Sequence, residues 1–196
     1  MLIPVKGIHP KLHPGVWIAP TATVTGDVEI GEKSSIWFNT VIRGDRAAIR
    51  IGRETNIQDN CILHSDEKTG VIIGNRVSVG HLAILHGCEI QDGALVGMGS
   101  IIMDGAVIGK NCIVAAGRLI VANSRFEDGT VILGRPAKAV RNVTPEEIQR
   151  NEYRAEKYMI STSWYADSNC AALVTKVERF DKSANNINML KTPVLS

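Results

Sequence analysis

Three of the five histidines, His64, His81 and His86, follow directly on Leu63, Gly80 and Leu85, close to the points where an aliphatic repeat changes phase. Neutral imidazole binds zinc at about 2.0 to 2.1 Å, and three such ligands leave one coordination position open for water. His64 and His81 are 17 residues apart, close to one turn of a hexapeptide solenoid at about 18 residues per coil. That spacing predicts the two side chains near one edge on successive rungs. No H-x-x-x-H or C-x-x-C spacing accompanies them, so the competing reading is that each imidazole satisfies a polar corner. His9 and His13 stand among prolines ahead of the repeat and read as surface residues. A second concentration of polar groups is Arg43-Gly44-Asp45-Arg46, with Gln58 and Asp59 shortly before His64. An Arg43–carboxylate pair is either a bidentate clamp within a site or a salt bridge joining coils or subunits.

The element that must position these groups is a repeat of six. Ile18, Val24, Ile30, Ile36 and Ile42 form one train; Ile51, Ile57 and Leu63 a second; Ile73, Val79 and Leu85 a third; and Ile90 to Ile120 a fourth without a break. The phase slips after Ile42, Leu63 and Leu85, which marks loops or corners there. Period six is not the 3.6 of a helix, and it is the signature of a parallel β-helix in which three hexapeptides close each coil. Residues 18–120 predict five or six coils. Gly31, Gly52, Gly74, Gly80, Gly97 and Gly109 suit corners that need a compact or positive-φ residue. The pattern fades after Ile120, and 131–138 reads as one irregular closing coil. Thr144-Pro145-Glu146-Glu147 is a capping box with proline at the first helical position, and Ile148, Ala155 and Met159 give that helix one apolar face. The domain reading is therefore a β-helix over 1–140, a C-terminal helix over 141–162, and an extension over 163–196 with at most a helix or strand near 170–180.

Composition supports an all-β repeat protein. Ile (23) and Val (18) far outnumber Leu (11), and β-branched side chains favour strands. A net charge of +2, from 22 basic and 20 acidic residues without long runs, gives no footprint for nucleic acid or anionic lipid. The apolar stretches are too short for a spanning helix or a signal peptide. Four cysteines without a C-x-x-C pair fit a protein of the reducing cytoplasm, with no membrane or nucleic-acid partner expected.

Residues 36–45 (IWFNTVIRGD), 56–64 (NIQDNCILH), 79–88 (VGHLAILHGC) and 95–106 (LVGMGSIIMDGA) resemble the γ-class carbonic anhydrases and their bacterial relatives, including the accessory proteins of phenylacetate and carnitine pathways. The resemblance runs from about residue 10 to 160. It implies a left-handed parallel β-helix with a C-terminal α-helix, assembled into a homotrimer with metal sites at subunit interfaces. His64 and His86 would come from one subunit and His81 from its neighbour. It further implies Gln58 beside the metal-bound solvent, and Arg43, Asp45 and Asp59 as the interface network, with Arg43 near bicarbonate. The implied metal is Zn²⁺, with Fe²⁺, Co²⁺ or Ni²⁺ suiting the same ligands, and the implied reaction is the hydration of CO₂ to bicarbonate.

The chain departs from the archaeal pattern at several positions. Arg46 stands where those enzymes have a glutamate, and their acidic loop is reduced to Ser65–Gly70, leaving Asp66 and Glu67 as candidate proton carriers. Glu156-Lys157-Tyr158 keeps Tyr158 as a catalytic candidate without the neighbouring amide, and Leu82 replaces a small or polar residue after His81. Two other functions fit the same repeat. One is a hexapeptide acyltransferase, since fold does not fix function; the other is a metal-binding accessory protein with weak thioesterase activity.

Overall fold

Aliphatic side chains six residues apart can share one core only if each hexapeptide makes a short strand and then turns. The computed structural model describes residues 1–134 and 136–166. It is a parallel β-solenoid of about seven turns with one C-terminal helix. On the first face, Trp17–Ile18, Ser35–Ile36, Asn56–Ile57, Ser78–Val79, Leu95–Val96, Ile113–Val114 and Thr130–Leu133 stack in parallel. The second face carries the beginning of Val41–Ile51, then Ile62–His64, Ile84–His86, Ile101–Ile102 and Leu119–Ile120. The third carries the end of Val41–Ile51, then Val71–Ile73, Glu89–Ile90, Val107–Ile108 and Arg125–Phe126.

The repeat positions become three internal columns. One runs Ile18, Ile36, Ile57, Val79, Val96, Val114 and Ile132; another runs Val24, Ile42, Leu63, Leu85, Ile102 and Ile120. All of these are buried, and burying each such side chain is worth roughly 1.5 to 3 kcal/mol. The third column begins at Leu12 and ends at Phe126, so the stack is longer than the 18–120 span suggests. The three phase slips have three different causes. After Ile42 the strand Val41–Ile51 runs unbroken across the corner, paired along its length with Thr23–Ile30 around a register shift at Gly26/Val28. After Leu63 the chain leaves the solenoid in the loop 65–70, whereas after Leu85 a tight corner at Gly87 (φ 53°) drops one residue.

The corner glycines answer to close approach, not to backbone sign. None of Gly31, Gly52, Gly74, Gly80, Gly97 and Gly109 has positive φ. A Cβ on Gly80 would lie 2.7 Å from the Met98 nitrogen, and one on Gly97 would lie 2.5 Å from that of Ala116. The left-handed residue comes two positions later, at Lys33, Glu54, Arg76, Leu82, Gly99 and Asn111.

Thr130–Leu133 is covered by the antiparallel Lys138–Asn142, which closes the last rung. The helix then runs Pro145–Ala166. Its capping box is reciprocal: the Glu147 N–H donates to Thr144 Oγ1 at 3.3 Å and the Thr144 N–H to Glu147 Oε2 at 3.0 Å. It packs down the first face against Ser35–Ile36, Asn56–Ile57 and Ser78–Val79. No helix among the described residues is long and apolar enough to cross a membrane. Cys170 and the element expected near 170–180 lie outside the described residues.

Candidate metal centre

The second face brings two of the three histidines together. His64 and His86 end adjacent strands and pair directly in the ladder, with ring centroids 5.3 Å apart. His81 is not their neighbour on that edge, contrary to the one-coil spacing from His64. It precedes the strand that His86 ends, so up to about 16 Å of extended chain separates the two. The 17-residue interval misleads because the slip after Leu63 lengthens that coil, and the true rung partner of His64 lies 22 positions on. Among the described residues no three His, Cys, Asp or Glu side chains cluster closely enough to hold a metal within one chain.

Each imidazole has a carboxylate partner. His86 Nδ1 donates to Asp104 Oδ1 at 2.7 Å, and His81 Nδ1 lies 2.8 Å from Asp59 Oδ2. An ionised carboxylate only accepts, so Nδ1 carries the proton in His86 and its Nε2 keeps a lone pair. His64 is turned the other way, with Nε2 against Asp45 Oδ1 at 3.1 Å and Nδ1 left as the acceptor nitrogen. Neutral imidazoles tethered to carboxylates by the second nitrogen are the donor chemistry a divalent first-row metal takes. The residues fit such an ion.

Arg43 Nη1 donates to Asp45 Oδ2 at 2.6 Å, within the same strand and through one nitrogen. It is a short intrachain pair, not a bidentate clamp. Burial pushes the Asp45 carboxyl up, but hydrogen bonds from Arg43 and His64 and the Arg43 charge outweigh it and hold its pKa below the usual value. Asp59 stands at the other end of the face, where its Oδ1 also accepts from the Phe38 N–H at 3.2 Å. The Arg43, Asp45 and Asp59 group is therefore split between the two ends of the face within one chain.

Gln58 is buried beside His81 and belongs to a polar chain under the helix. Its Nε2 donates to Asn56 Oδ1 at 3.1 Å, and Asn56 Nδ2 donates to Ser78 Oγ at 2.9 Å. With its amide nitrogen committed, Gln58 has Oε1 left as an acceptor. Gln58, His81, Tyr158, Arg154 and Met98 line one groove of about 390 Å³. Tyr158 is held edge-on against Trp37 at 5.2 Å, in a cluster that also includes Trp17, Phe38 and Tyr165. Burial, with the Asp59 charge second, pushes the Tyr158 phenol up, so it stays protonated near neutrality.

Two functional candidates escaped sequence reasoning. Asp104 is the partner of His86 one coil on, and the 18-residue interval was the available signal. Arg154 shares a helix face with Tyr158, four residues on. Arg46 pairs with Glu67 at 2.8 Å, tying the reduced acidic loop down. Leu82, next to His81, is 63% exposed at φ 62°, a conformation seldom taken by a branched side chain.

The family described as bacterial transferase hexapeptide (six repeats) matches residues 9–44 and 87–117. A protein of Geobacillus kaustophilus named carbonic anhydrase is 47% identical over 84% of this chain and 91% of its own length. The carnitine operon protein CaiE of Escherichia coli O7:K1 is 42% identical over 78% of each. Among solved structures, a Bacillus cereus protein described as an acetyltransferase superposes with a TM-score of 0.82 at 44% identity, covering 84% of this chain and 96% of that one.

Proposed function

Because the chain belongs to the hexapeptide-repeat family of γ-class carbonic anhydrases and their relatives, we propose that it is a metal-dependent carbonic anhydrase that works as a homotrimer and interconverts CO₂ and bicarbonate. One observation carries the shared-site reading. Between His81 at one end of the second face and His64 and His86 at the other runs an outward ladder of Val41, Ile62, Ile84, Ile101 and Leu119, in register. Val41, Ile62 and Leu119 are exposed, as is Leu82 at the His81 end. A contiguous aliphatic surface of this kind calls for cover. A head-to-tail contact closing on a threefold axis covers it and sets the His81 end of one subunit beside the His64/His86 end of the next.

In this reading His64, His86 and the neighbour's His81 hold Zn²⁺, or Fe²⁺, Co²⁺ or Ni²⁺. When bound, such an ion would lower the pKa of its water to about 7 and supply a hydroxide nucleophile for CO₂. Asp104 fixes the tautomer of His86, and Asp59 stands 2.8 Å from His81 Nδ1. Asp45 orients His64, and the Arg43 guanidinium keeps Asp45 ionised. Gln58 Oε1 would accept a hydrogen bond from a hydroxide supplied in this way and so help to orient it. Tyr158, protonated, donates to an oxygen of the bicarbonate formed. The proton released in each turnover leaves through the solvent-facing side of the site, where Asp66 and Glu67 lie on the loop 65–70. The buried thiols of Cys61 and Cys88, pushed up to about 12 by burial, are inert and suit a reducing cytoplasm.

An acyltransferase reading is favoured by the description of the Bacillus cereus neighbour. Its chemistry needs a long loop over the acyl donor, and the insertion after Leu63 is only the six-residue loop 65–70.

Stopped-flow CO₂ hydration on anaerobically purified protein of known metal content tests the proposal. The expected result is about one metal per subunit and hydration above buffer, both lost in His81→Ala. Full occupancy without hydration would overturn it.

A further inference from the structure

The groove beside His81 is far larger than bicarbonate requires and has two chemically different ends. Gln58, His81, Tyr158 and Arg154 make one end; Leu95, Ile113 and Met98, from the next rungs of the first face and its corner, make the other. Its volume of about 390 Å³ falls in the range of roughly 300 to 1,000 Å³ typical of sites for small organic molecules. Gly80 and Gly97 line it too, at corners where successive coils approach too closely for a Cβ.

Arg154 gives the groove its charge. Its Nη1 donates to Asn151 Oδ1 at 2.8 Å, and no carboxylate among the described residues pairs with it. Asn151 is 6% exposed, and its Nδ2 is a buried donor without a partner. A half-buried guanidinium beside a protonated phenol is a carboxylate receptor, since planar fork geometry matches two carboxylate oxygens. The apolar end then takes whatever the carboxylate carries.

We propose that this groove binds a short-chain aliphatic monocarboxylate, with its carboxylate on Arg154 and its tail along Leu95, Ile113 and Met98. The inference rests on the carbonic anhydrase reading only in setting the groove beside the metal; the binding itself needs no ion. A ligand seated there lies next to Gln58 and His81 and excludes bicarbonate from the same end.

Butyrate binding to the native full-length protein, followed by calorimetry and by saturation-transfer NMR, tests this against acetate as the tail-free control. The expected result is saturable butyrate binding, several-fold tighter than acetate, retained after chelation of metal. Arg154→Gln weakens it at least about tenfold, Arg154→Lys restores part of the loss, and Leu95→Ala lowers the butyrate preference without changing acetate. Equal butyrate affinity in wild type and Arg154→Gln, with both proteins folded by circular dichroism, would overturn the proposal. Binding that disappears on chelation would also overturn it, by making butyrate a metal ligand. Hydration measured on the same samples separates the two readings: Arg154-dependent butyrate binding in a protein without hydration supports the groove and removes the anhydrase.

Discussion

His64 and His86 occupy the same position on consecutive rungs, Cα opposite Cα in one parallel ladder, with their rings inclined at 66°. His81 lies ahead of the strand Ile84–His86, so no rotamer change within one subunit completes a three-histidine set. If the set is completed across a threefold interface, a subunit lacking His81 and a subunit lacking His86 have complementary defects. We predict that His81→Ala and His86→Ala each abolish metal binding as pure proteins. Unfolded together in equal amounts and refolded, they should regain about a quarter of wild-type metal and hydration, the random frequency of an interface with both good halves. Metal analysis of the mixture decides, and a mixture as empty as its parents would rule out sharing.

The ladder that separates the histidines makes a second prediction. Ile62 is 45% exposed in the single chain, and a charge at such a surface position ordinarily changes stability by no more than about 0.5 kcal/mol. Buried against a neighbour it must instead be desolvated without a partner. Ile62→Asp is predicted to keep its β-rich circular dichroism, run as a monomer in light scattering, and lose its metal. A trimer with full metal would show that another face makes the contact.

The repeat was legible because each six-residue step buries one aliphatic side chain, and the columns from Ile18 to Ile132 follow that arithmetic. It looked shorter than it is because Leu12 and Phe126 keep the spacing at the two ends while their neighbours are charged or polar. The helix cap was legible from Thr144 and Glu147, although the helix continues to Ala166, past the end set at 162, through Tyr165 packed on Trp17 and Trp37. Rung partnership was not legible, since a loop or corner between rungs changes the interval from one coil to the next. That is why the 17-residue spacing pairs His81 with His64, and why spacing alone does not single out Asp104. Arg154 carried no signal at all: a lone arginine on a helix acquires meaning only from the groove it faces.

Arg46 and Glu67 form an ion pair at 2.8 Å in an exposed position, where such pairs contribute little to stability. Its effect on proton traffic is larger than its energy suggests. A carboxylate held by a guanidinium cannot swing between donor and acceptor positions, which makes it a poor relay. Arg46→Ala is predicted to leave thermal stability nearly unchanged and to raise kcat several-fold in dilute buffer. The gain should vanish at high imidazole concentration, where buffer carries the proton, and kcat/KM for CO₂ should not move. An increase that persists in concentrated buffer, or no increase in dilute buffer, would show that Glu67 takes no part.

Glu147 closes the helix cap and also accepts from both terminal nitrogens of Arg141 at 2.8 Å. The Arg141 hydrogen bonds first, then the Thr144 backbone N–H, lower its pKa from 4.5 to about 2. Between those values the unfolded chain binds the proton and the folded chain does not, so acid favours unfolding. The contribution is complete above pH 4.5 and is lost as pH falls through about 2. Glu147→Gln keeps a side-chain acceptor for the Thr144 N–H and removes the charge. Its urea midpoint is predicted to lie below wild type at pH 7, with the gap constant down to about pH 4.5 and narrowing below it. Because the pair is near the surface, added salt should narrow the gap at pH 7 as well. A gap that stays the same at pH 3 would assign the loss to the cap hydrogen bond and not to the Arg141 charge.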